Sequence, residues 1–279
     1  EIRLSLVGSE MCIRDRNKAS SWKKLLKSPL PDVQSLAIEQ LRRAGALSSA
    51  DLLRIYRESP YGVVRLEALM ALSATPDDHF ITAVTEASQD AYELVQRQAI
   101  RFIAKNGDRR LIPALIRLSI ANNTSDRCNF NVMTALACFP KEDLLAEFDR
   151  QFDAPSVQYL DKNNLRGKIR NTIAHSADRL TTDIDKVVKG EASEKDRTFT
   201  IRALRNTLPH HKVPELLVYL QNCGDGNTQI LLLEALGWHT VSCHAADIAA
   251  TALKMSEDAS LPDAVRQEAL KTYRRIHEK

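Results

Sequence analysis

The sequence contains few of the residues that mark sheets, disulfide frameworks or membrane spans. Only 9 glycines and 5% aromatic residues occur in 279 positions, whereas 44% of the residues are hydrophobic, with Leu and Ala prominent. This balance is typical of all-helical globular chains and argues against both a β-protein and a disordered chain. No apolar run approaches the roughly 20 residues that a membrane-spanning helix needs.

Cysteines are also few, and their spacing is irregular. Of the 5 cysteines, Cys12 belongs to an N-terminal stretch treated separately below, and Cys128, Cys138, Cys223 and Cys243 form no CxxC pair. Scattered single cysteines are typical of buried thiols in a reducing compartment rather than of a disulfide framework. We therefore expect a cytoplasmic location.

Charge of neither sign dominates the chain. Lys and Arg number 39 against 36 Asp and Glu, so the formal net charge is +3. A nucleic-acid-binding domain normally has a much larger basic excess and aromatic residues interleaved with it. Whole-chain charge thus requires no polyanionic partner.

The first 16 residues, EIRLSLVGSEMCIRDR, have neither apolar periodicity nor a helix cap. They fit neither a signal peptide nor a basic arm, because polar residues interrupt the apolar run and three acids balance the three bases. Residues 6 to 16 resemble a translated sequencing-library adapter, so residues 1 to 16 are excluded from functional inference. We then expect the native N-terminus to be missing, which leaves membrane tethering or export through a lost segment as alternative locations.

A helical motif recurs along the rest of the chain. The segments YGVVRLEALMAL, YELVQRQAIRFI and PDAVRQEALKTY each place a small residue four positions after a valine. The same frame gives eight units at intervals of 31 to 37 residues, marked by Ala37, Ala68, Ala99, Val132, Ile169, Ala203, Ala235 and Ala269. The residues four positions earlier are Val33, Val64, Val95, Cys128, Leu165, Phe199, Leu231 and Val265.

Each unit has the pattern of a helical hairpin. Offsets of four, five and eight from the first apolar residue lie on one face of an α-helix, so these positions predict a buried stripe. A second apolar-periodic segment, such as SADLLRIYRES or VPELLVYLQNC, precedes most stripes. One hairpin cannot bury its stripe alone, so each unit is expected to pack against its neighbours.

These segments resemble the second helix of HEAT repeats. In that helix an aliphatic residue comes first, an arginine often follows it, and a small residue comes after both. The resemblance covers residues 17 to 279 and implies a single all-α domain, a right-handed α-solenoid of about eight hairpins. Such proteins present extended surfaces to partners and have no common catalytic residues. The longest interval, 37 residues, predicts an irregular fifth unit, with residues 153 to 163 as its loop.

Two histidine-containing segments are the candidate metal or catalytic sites. GWHTVSCHAAD brings together His239, Cys243 and His244, and LPHHKVPE contains His210 and His211. Structural zinc sites usually have paired ligands at short fixed spacing, and no second pair occurs here. We therefore interpret both segments as solvated connections between helices. Because the sequence also lacks the common catalytic motifs, we expect no enzyme activity, no metal and no cofactor.

Basic residues recur on the predicted second helices, on the side away from the buried stripe. The fewer acids there include Glu234 and Glu268, while the first helices are rich in acids. The sequence thus predicts a scaffold, expected to be monomeric, that binds a protein partner or acidic segment along its inner face. Nucleic-acid binding and a membrane-tethered adaptor remain alternatives. The candidate partner-binding residues are Arg101, Lys105, Lys168, Arg202, Arg205, Lys271 and Arg275.

Overall fold

The computed structural model describes residues 19 to 122, 129 to 153 and 162 to 277. All regular elements in this part of the chain are helices, which confirms the all-α class predicted from composition. Within the same residues, no helix combines the length and the apolar character that crossing a membrane requires. The adapter-like residues 1 to 16 lie outside the described ranges, so their interpretation stays a prediction.

The chain divides between Ala99 and Ile100 into two compact units, and the division falls inside one continuous helix. The prediction of a single domain over residues 17 to 279 therefore stays a prediction. The first unit contains α1 (residues 19 to 25), α2 (Pro31–Arg43), α3 (Ser49–Glu58), α4 (Gly62–Leu72), α5 (Asp78–Ala87) and the start of α6 (Glu93–Asn106).

In the first unit, alternate helices lie side by side: α2 contacts α4, and α3 contacts α5. Capping explains where the helices begin, because Ser48 and Asp51 form a capping box at α3 and the Asp77 carboxylate accepts the Phe80 N–H at α5. Arg65 of the repeated motif forms a bidentate ion pair with the side chain of Asp90, which is 5% exposed, at 2.7 and 2.8 Å. This pair ties α4 to the turn before α6.

The second unit holds the remaining helices, in the same alternating arrangement. Contacts join α7 to α9, α11 to α13, α12 to α14 and α13 to α15. Its elements are the end of α6, α7 (Ile112–Asn122), α8 (Asn129–Leu136), α9 (Lys141–Phe152), α10 (Lys162–Val188), α11 (Glu194–Leu204), α12 (Val213–Asn222), α13 (Gly226–Leu236), α14 (Ala245–Glu257) and α15 (Asp263–His277), with short 3₁₀ turns at Arg109–Leu111 and His210–Lys212.

Most of the predicted stripe positions are buried. Ala37, Ala68, Ala99 and Ala269 have no exposed surface, and the valines of the second, third and eighth units are equally buried. Full burial of a residue as small as alanine means that neighbouring atoms approach the helix closely at that position. Contacts between alternate helices and buried small residues are both features of stacked hairpins.

The frame is wrong at the sixth unit. Phe199, predicted as the first stripe residue, is 75% exposed, and Ala203 is only partly buried. The buried side of α11 is formed by Thr200, Ile201 and Leu204 instead. Phe199 fitted the apolar pattern of the sequence, but the buried residues Thr200 and Leu204 lie one position after the predicted Phe199 and Ala203.

The fifth and sixth units also differ from the predicted hairpins. One uninterrupted helix of 27 residues, α10, occupies the place of a second helix and the following first helix. Its buried residues Ile169, Ile173, Leu180 and Ile184 keep a helical spacing throughout, and no proline interrupts them. Most of the loop predicted at residues 153 to 163 lies outside the described residues.

Candidate functional site

Trp238, just after α13, is contacted by two arginines from different helices. The guanidinium carbons of Arg205, at the end of α11, and Arg275, in α15, lie 4.6 and 4.7 Å from the centroid of its ring. The tryptophan is 46% exposed. Cation–π contacts of this kind hold a guanidinium group in a fixed orientation at the surface. The structure therefore brings together two of the seven predicted partner-binding residues around an aromatic residue that the sequence analysis did not select.

The packing of three helices explains why these groups meet. Helix α13 contacts both α11 and α15. The buried Thr272 hydroxyl donates a hydrogen bond of 2.9 Å to the Leu233 carbonyl, which fixes α15 against α13. Gly237 ends α13 and allows close approach, because a Cβ there would lie 2.9 Å from Nη1 of Arg275. A larger residue than glycine would displace the Arg275 side chain.

Arg202 lies on α11 about one turn before Arg205, Lys271 lies about one turn before Arg275 on α15, and both are exposed. We call Arg202, Arg205, Trp238, Lys271 and Arg275 together the Trp238 face. Two acids lie beside it, and each contacts one of its bases: Glu234 lies 3.6 Å from Arg205, and Glu268 lies 3.2 Å from Lys271. Among the described residues, neither Arg202 nor Arg275 has a carboxylate within ion-pair distance. The face therefore carries an excess of positive charge, as the placement of bases in the sequence predicts.

The other three predicted residues are exposed and lie on other helices. Arg101 and Lys105 lie one turn apart on α6, and Lys168 lies on α10. Burial is the main cause that lowers the pKa of His239, and the positive charge of Lys105 lowers it further. In the described part of the chain, neither Arg101 nor Lys168 forms a hydrogen bond or an ion pair with the Trp238 face.

A second cluster forms around His210, where several loops of the second unit meet. Its backbone N–H donates to the Cys138 carbonyl at 3.0 Å, and its ring nitrogens contact Ala104 and Ser242. In the same place, Asn106 exchanges hydrogen bonds of 2.8 Å with the segment 241 to 243. We call this cluster the His210 junction. Some of its hydrogen bonds join residues 135 positions apart, beyond the neighbour-to-neighbour contacts expected of stacked repeats.

The hydrogen bonds of the junction determine which ring nitrogen of His210 carries the proton. Nε2 lies 2.9 Å from the Ala104 carbonyl oxygen, which can only accept, so Nε2 donates. Nδ1 is then free to accept from the Ser242 hydroxyl at 3.0 Å, and the Ser242 oxygen accepts the His244 N–H. Burial lowers the pKa of His210 to about 3, so the ring is neutral at physiological pH.

The interpretation of the two histidine segments as solvated connections is wrong for His210 and His239. His210 is 2% exposed and His239 is 5% exposed, and Nε2 of His239 donates to the Leu204 carbonyl at 2.6 Å. Both rings satisfy buried backbone groups that would otherwise lack partners. No group of three or more His, Cys, Asp or Glu side chains suited to holding a metal occurs among the described residues.

Scans against protein-family models and against curated protein sequences give no match. The functional argument therefore starts from the two clusters just described. The His210 junction consists of buried groups that satisfy one another, which is what a structural element requires. The Trp238 face consists of exposed or half-buried charged groups, some without partners, which is what a binding surface requires.

Proposed function

We propose that this chain is a non-enzymatic interaction scaffold of HEAT-like helical hairpins, and that its Trp238 face binds an acidic segment of a partner protein. The observation that carries this proposal is the placement of Arg205 and Arg275 over the exposed Trp238 ring. Tryptophan and arginine are the residues most enriched among those that dominate the energy of protein interfaces. Here they occur together on adjoining helices.

The HEAT-like assignment is supported by three features. Alternate helices contact each other within each unit, the frame recurs at intervals of 31 to 37 residues, and five of its small residues are buried: Ala37, Ala68, Ala99, Ala235 and Ala269. A surface formed by successive second helices is the usual place where such stacks bind partners, as the resemblance implies. The bases of α11 and α15 lie on helices that the repeat frame assigns as second helices.

Nucleic-acid binding is the less favoured alternative. Sequence-tolerant binding of single strands uses aromatic rings on which bases stack. Two guanidinium groups already cover the ring of Trp238, so a base would have to displace them. The net charge of +3 also counts against this alternative, because it attracts a polyanion only weakly.

The test is affinity capture from a lysate of the source organism, with captured proteins identified by mass spectrometry. The bait with Arg202→Glu, Arg205→Glu and Lys271→Glu reverses three charges of the Trp238 face. We expect it to lose a protein partner that the unchanged chain retains, and that partner should dissociate as salt is raised because exposed charges are screened over about 8 to 10 Å.

A matched control reverses three exposed bases on other helices: Arg117→Glu, Arg179→Glu and Lys254→Glu. This bait has the same net charge and should retain the partner. Equal capture by both variants, insensitive to salt, would contradict the proposed binding surface. Loss of the partner from both would point to net charge rather than to the Trp238 face.

A further inference from the structure

Within the Trp238 face, Arg275 differs from the other bases in how firmly it is held. Arg202 and Lys271 are exposed, whereas Arg275 is half-buried and contacts two neighbouring residues. Its guanidinium group lies over the Trp238 ring, and Nη1 lies against the bare Cα of Gly237. The buried residues Thr272 and Ile276 fix this part of α15 beneath it. The side chain is therefore placed before any ligand arrives.

Arg275 is also incompletely satisfied. Nη1 is buried and has no hydrogen-bond acceptor. No carboxylate among the described residues lies within ion-pair distance of Arg275, although Arg205 on the same ring has Glu234 at 3.6 Å. A guanidinium group has five donors in a planar fork, and removing part of it from water without an acceptor is unfavourable. Nη1 itself is out of reach of a ligand, but the donors on Nε and Nη2 are not buried and form no hydrogen bond with the described residues, so a carboxylate can bind there.

We propose that Arg275 is the anchor of the Trp238 face and binds a carboxylate of an acidic protein segment, an inference that rests on the proposed function. Trp238 and Gly237 orient the guanidinium group, and its open edge meets the two oxygens of an Asp or Glu side chain. Lys271, one turn earlier on α15, and Arg205, across the ring, attract further acids of the same segment.

The occupant is assigned from charge and from the shape of the surface. The bases of this face outnumber its two acids, so the complementary ligand is anionic. The planar guanidinium group matches the geometry of a carboxylate. Binding of the carboxylate is most favourable when the orientation of the guanidinium group is already fixed before binding. Phosphates share part of this chemistry, so a nucleic acid is the alternative that the experiment must distinguish.

The probe is a fluorescein-labelled peptide of alternating Glu and Ser, which in an extended conformation presents its carboxylates on one side. Binding to the full chain is measured by fluorescence anisotropy at physiological ionic strength. Arg275→Gln should weaken binding about tenfold, because it removes a charge-assisted pair. Arg275→Lys should recover part of the affinity, since lysine keeps the charge but lacks the planar fork.

Arg274→Gln is the matched control, because it makes the same change on the adjacent exposed residue of α15. It should bind the peptide as the unchanged chain does. Urea unfolding of each variant checks that the fold is retained. Gly237→Ala is the second variant, because its backbone φ of −62° accepts alanine and the new Cβ would lie 2.9 Å from Nη1 of Arg275. The same Cβ would lie 3.2 Å from the Leu233 oxygen and the Thr272 hydroxyl, so the binding of this variant is compared with its urea unfolding. It should weaken binding although every charge is kept.

The outcomes separate the anchor from the proposed function. Equal loss in Arg275→Gln and Arg274→Gln would overturn the anchor role and leave the acidic-partner proposal standing. Failure of the unchanged chain to bind the peptide would overturn both. Tighter, Arg275-dependent binding of a single-stranded DNA of equal charge would overturn the assignment of a protein ligand.

Discussion

Trp238 and His239 are adjacent in the chain but belong to two contrasting regions. Trp238 is 46% exposed and carries guanidinium groups on its ring, whereas His239 is 5% exposed and donates to the Leu204 carbonyl. The histidine side faces the His210 junction, where neutral groups satisfy buried backbone carbonyls. The tryptophan side faces solvent, where charged groups retain unused donors. The end of α13 therefore joins a rigid interior to a candidate binding surface.

This difference separates stability from binding in a way that substitutions can test. Changes in the junction leave buried polar groups without hydrogen-bond partners, so they should lower the free energy of unfolding. Changes at the exposed bases of the Trp238 face, Arg202, Arg205 and Lys271, affect groups that are already solvated, so they should mainly alter affinity. The predictions below begin with the largest expected effect on stability.

Gly107 should tolerate substitution least, because it lies directly against His210. Its φ of +71° belongs to the left-handed region, and a Cβ would lie 2.0 Å from Cγ of the buried ring. A left-handed residue other than glycine costs roughly 1 to 2 kcal/mol, and overpacking typically adds 1 to 3 kcal/mol. Gly107→Ala should therefore lower the free energy of unfolding by about 3 kcal/mol or more, measured by urea denaturation.

Gly224→Ala is the control for that measurement. Gly224 has a similar φ of +58°, but a Cβ there meets no atom within 4 Å. It should show the backbone effect alone, about 1 to 2 kcal/mol. Similar losses in the two variants would mean that the close approach of Gly107 to His210 is not present in solution.

Ala269 tests the buried stripe of α15, on the side opposite to the exposed bases. It is fully buried, so Ala269→Leu should cost roughly 1 to 3 kcal/mol in urea unfolding through overpacking. Ala203→Leu makes the same change at the sixth unit, where the frame is offset and the alanine is only partly buried. Its effect should be clearly smaller. If Ala203→Leu lowered the free energy of unfolding more than Ala269→Leu does, Ala203 would be the buried stripe residue of the sixth unit, as the sequence predicts.

The regular units could be predicted because their information is local. Apolar residues at offsets of four, five and eight fix one helical face, and Val64, Ala68 and Val265 are buried as that spacing requires. Phe199 could not be placed in the same way, because an aromatic residue satisfies the pattern whether or not a neighbouring helix covers it. Packing from other elements, not periodicity, decides that α11 presents Thr200 and Leu204 to the core.

The two clusters of the second unit show where sequence reasoning fails. His210 contacts a carbonyl 106 positions away. The residues near it in the sequence therefore do not show whether its ring is buried and hydrogen-bonded or lies in a solvated turn. The excess of bases on second helices selected Arg205 and Arg275, which lie on the same tryptophan ring, while their role in binding stays a prediction. Trp238 was missed, although the sequence held a signal for it. Trp238 comes directly after the buried stripe of its unit and follows Gly237, where the lack of a Cβ lets residues of α15 approach.

The pH dependence of stability should reveal the neutral histidine of the junction. Because the pKa of His210 is about 3 in the folded chain and near 6.5 when unfolded, the unfolded state binds more protons between these values. Stability is then complete above pH 6.5 and falls as the pH is lowered through that window, by about 2 kcal/mol at pH 5.

His210→Gln removes this titration and provides the comparison. The variant should be less stable at neutral pH but should lose less free energy of unfolding between pH 7.5 and 5. His239 and His211, whose pKa values are also lowered by burial, contribute to the slope that remains. Parallel pH profiles for the two chains would show that His210 is not held neutral in the folded state.

The smallest effect on stability is expected at Lys271, two positions beyond the buried Ala269. Its amine is exposed and pairs with Glu268 at i,i+3, a contact worth a few tenths of a kcal/mol. Lys271→Ala should therefore change the free energy of unfolding by less than about 0.5 kcal/mol. It should nevertheless weaken the acidic peptide measurably, and the salt dependence of binding should become shallower, because one attracting charge is lost. A variant that unfolds more easily yet binds the peptide unchanged would reverse the contrast between the two regions, since Lys271 would then act in the structure and not in recognition.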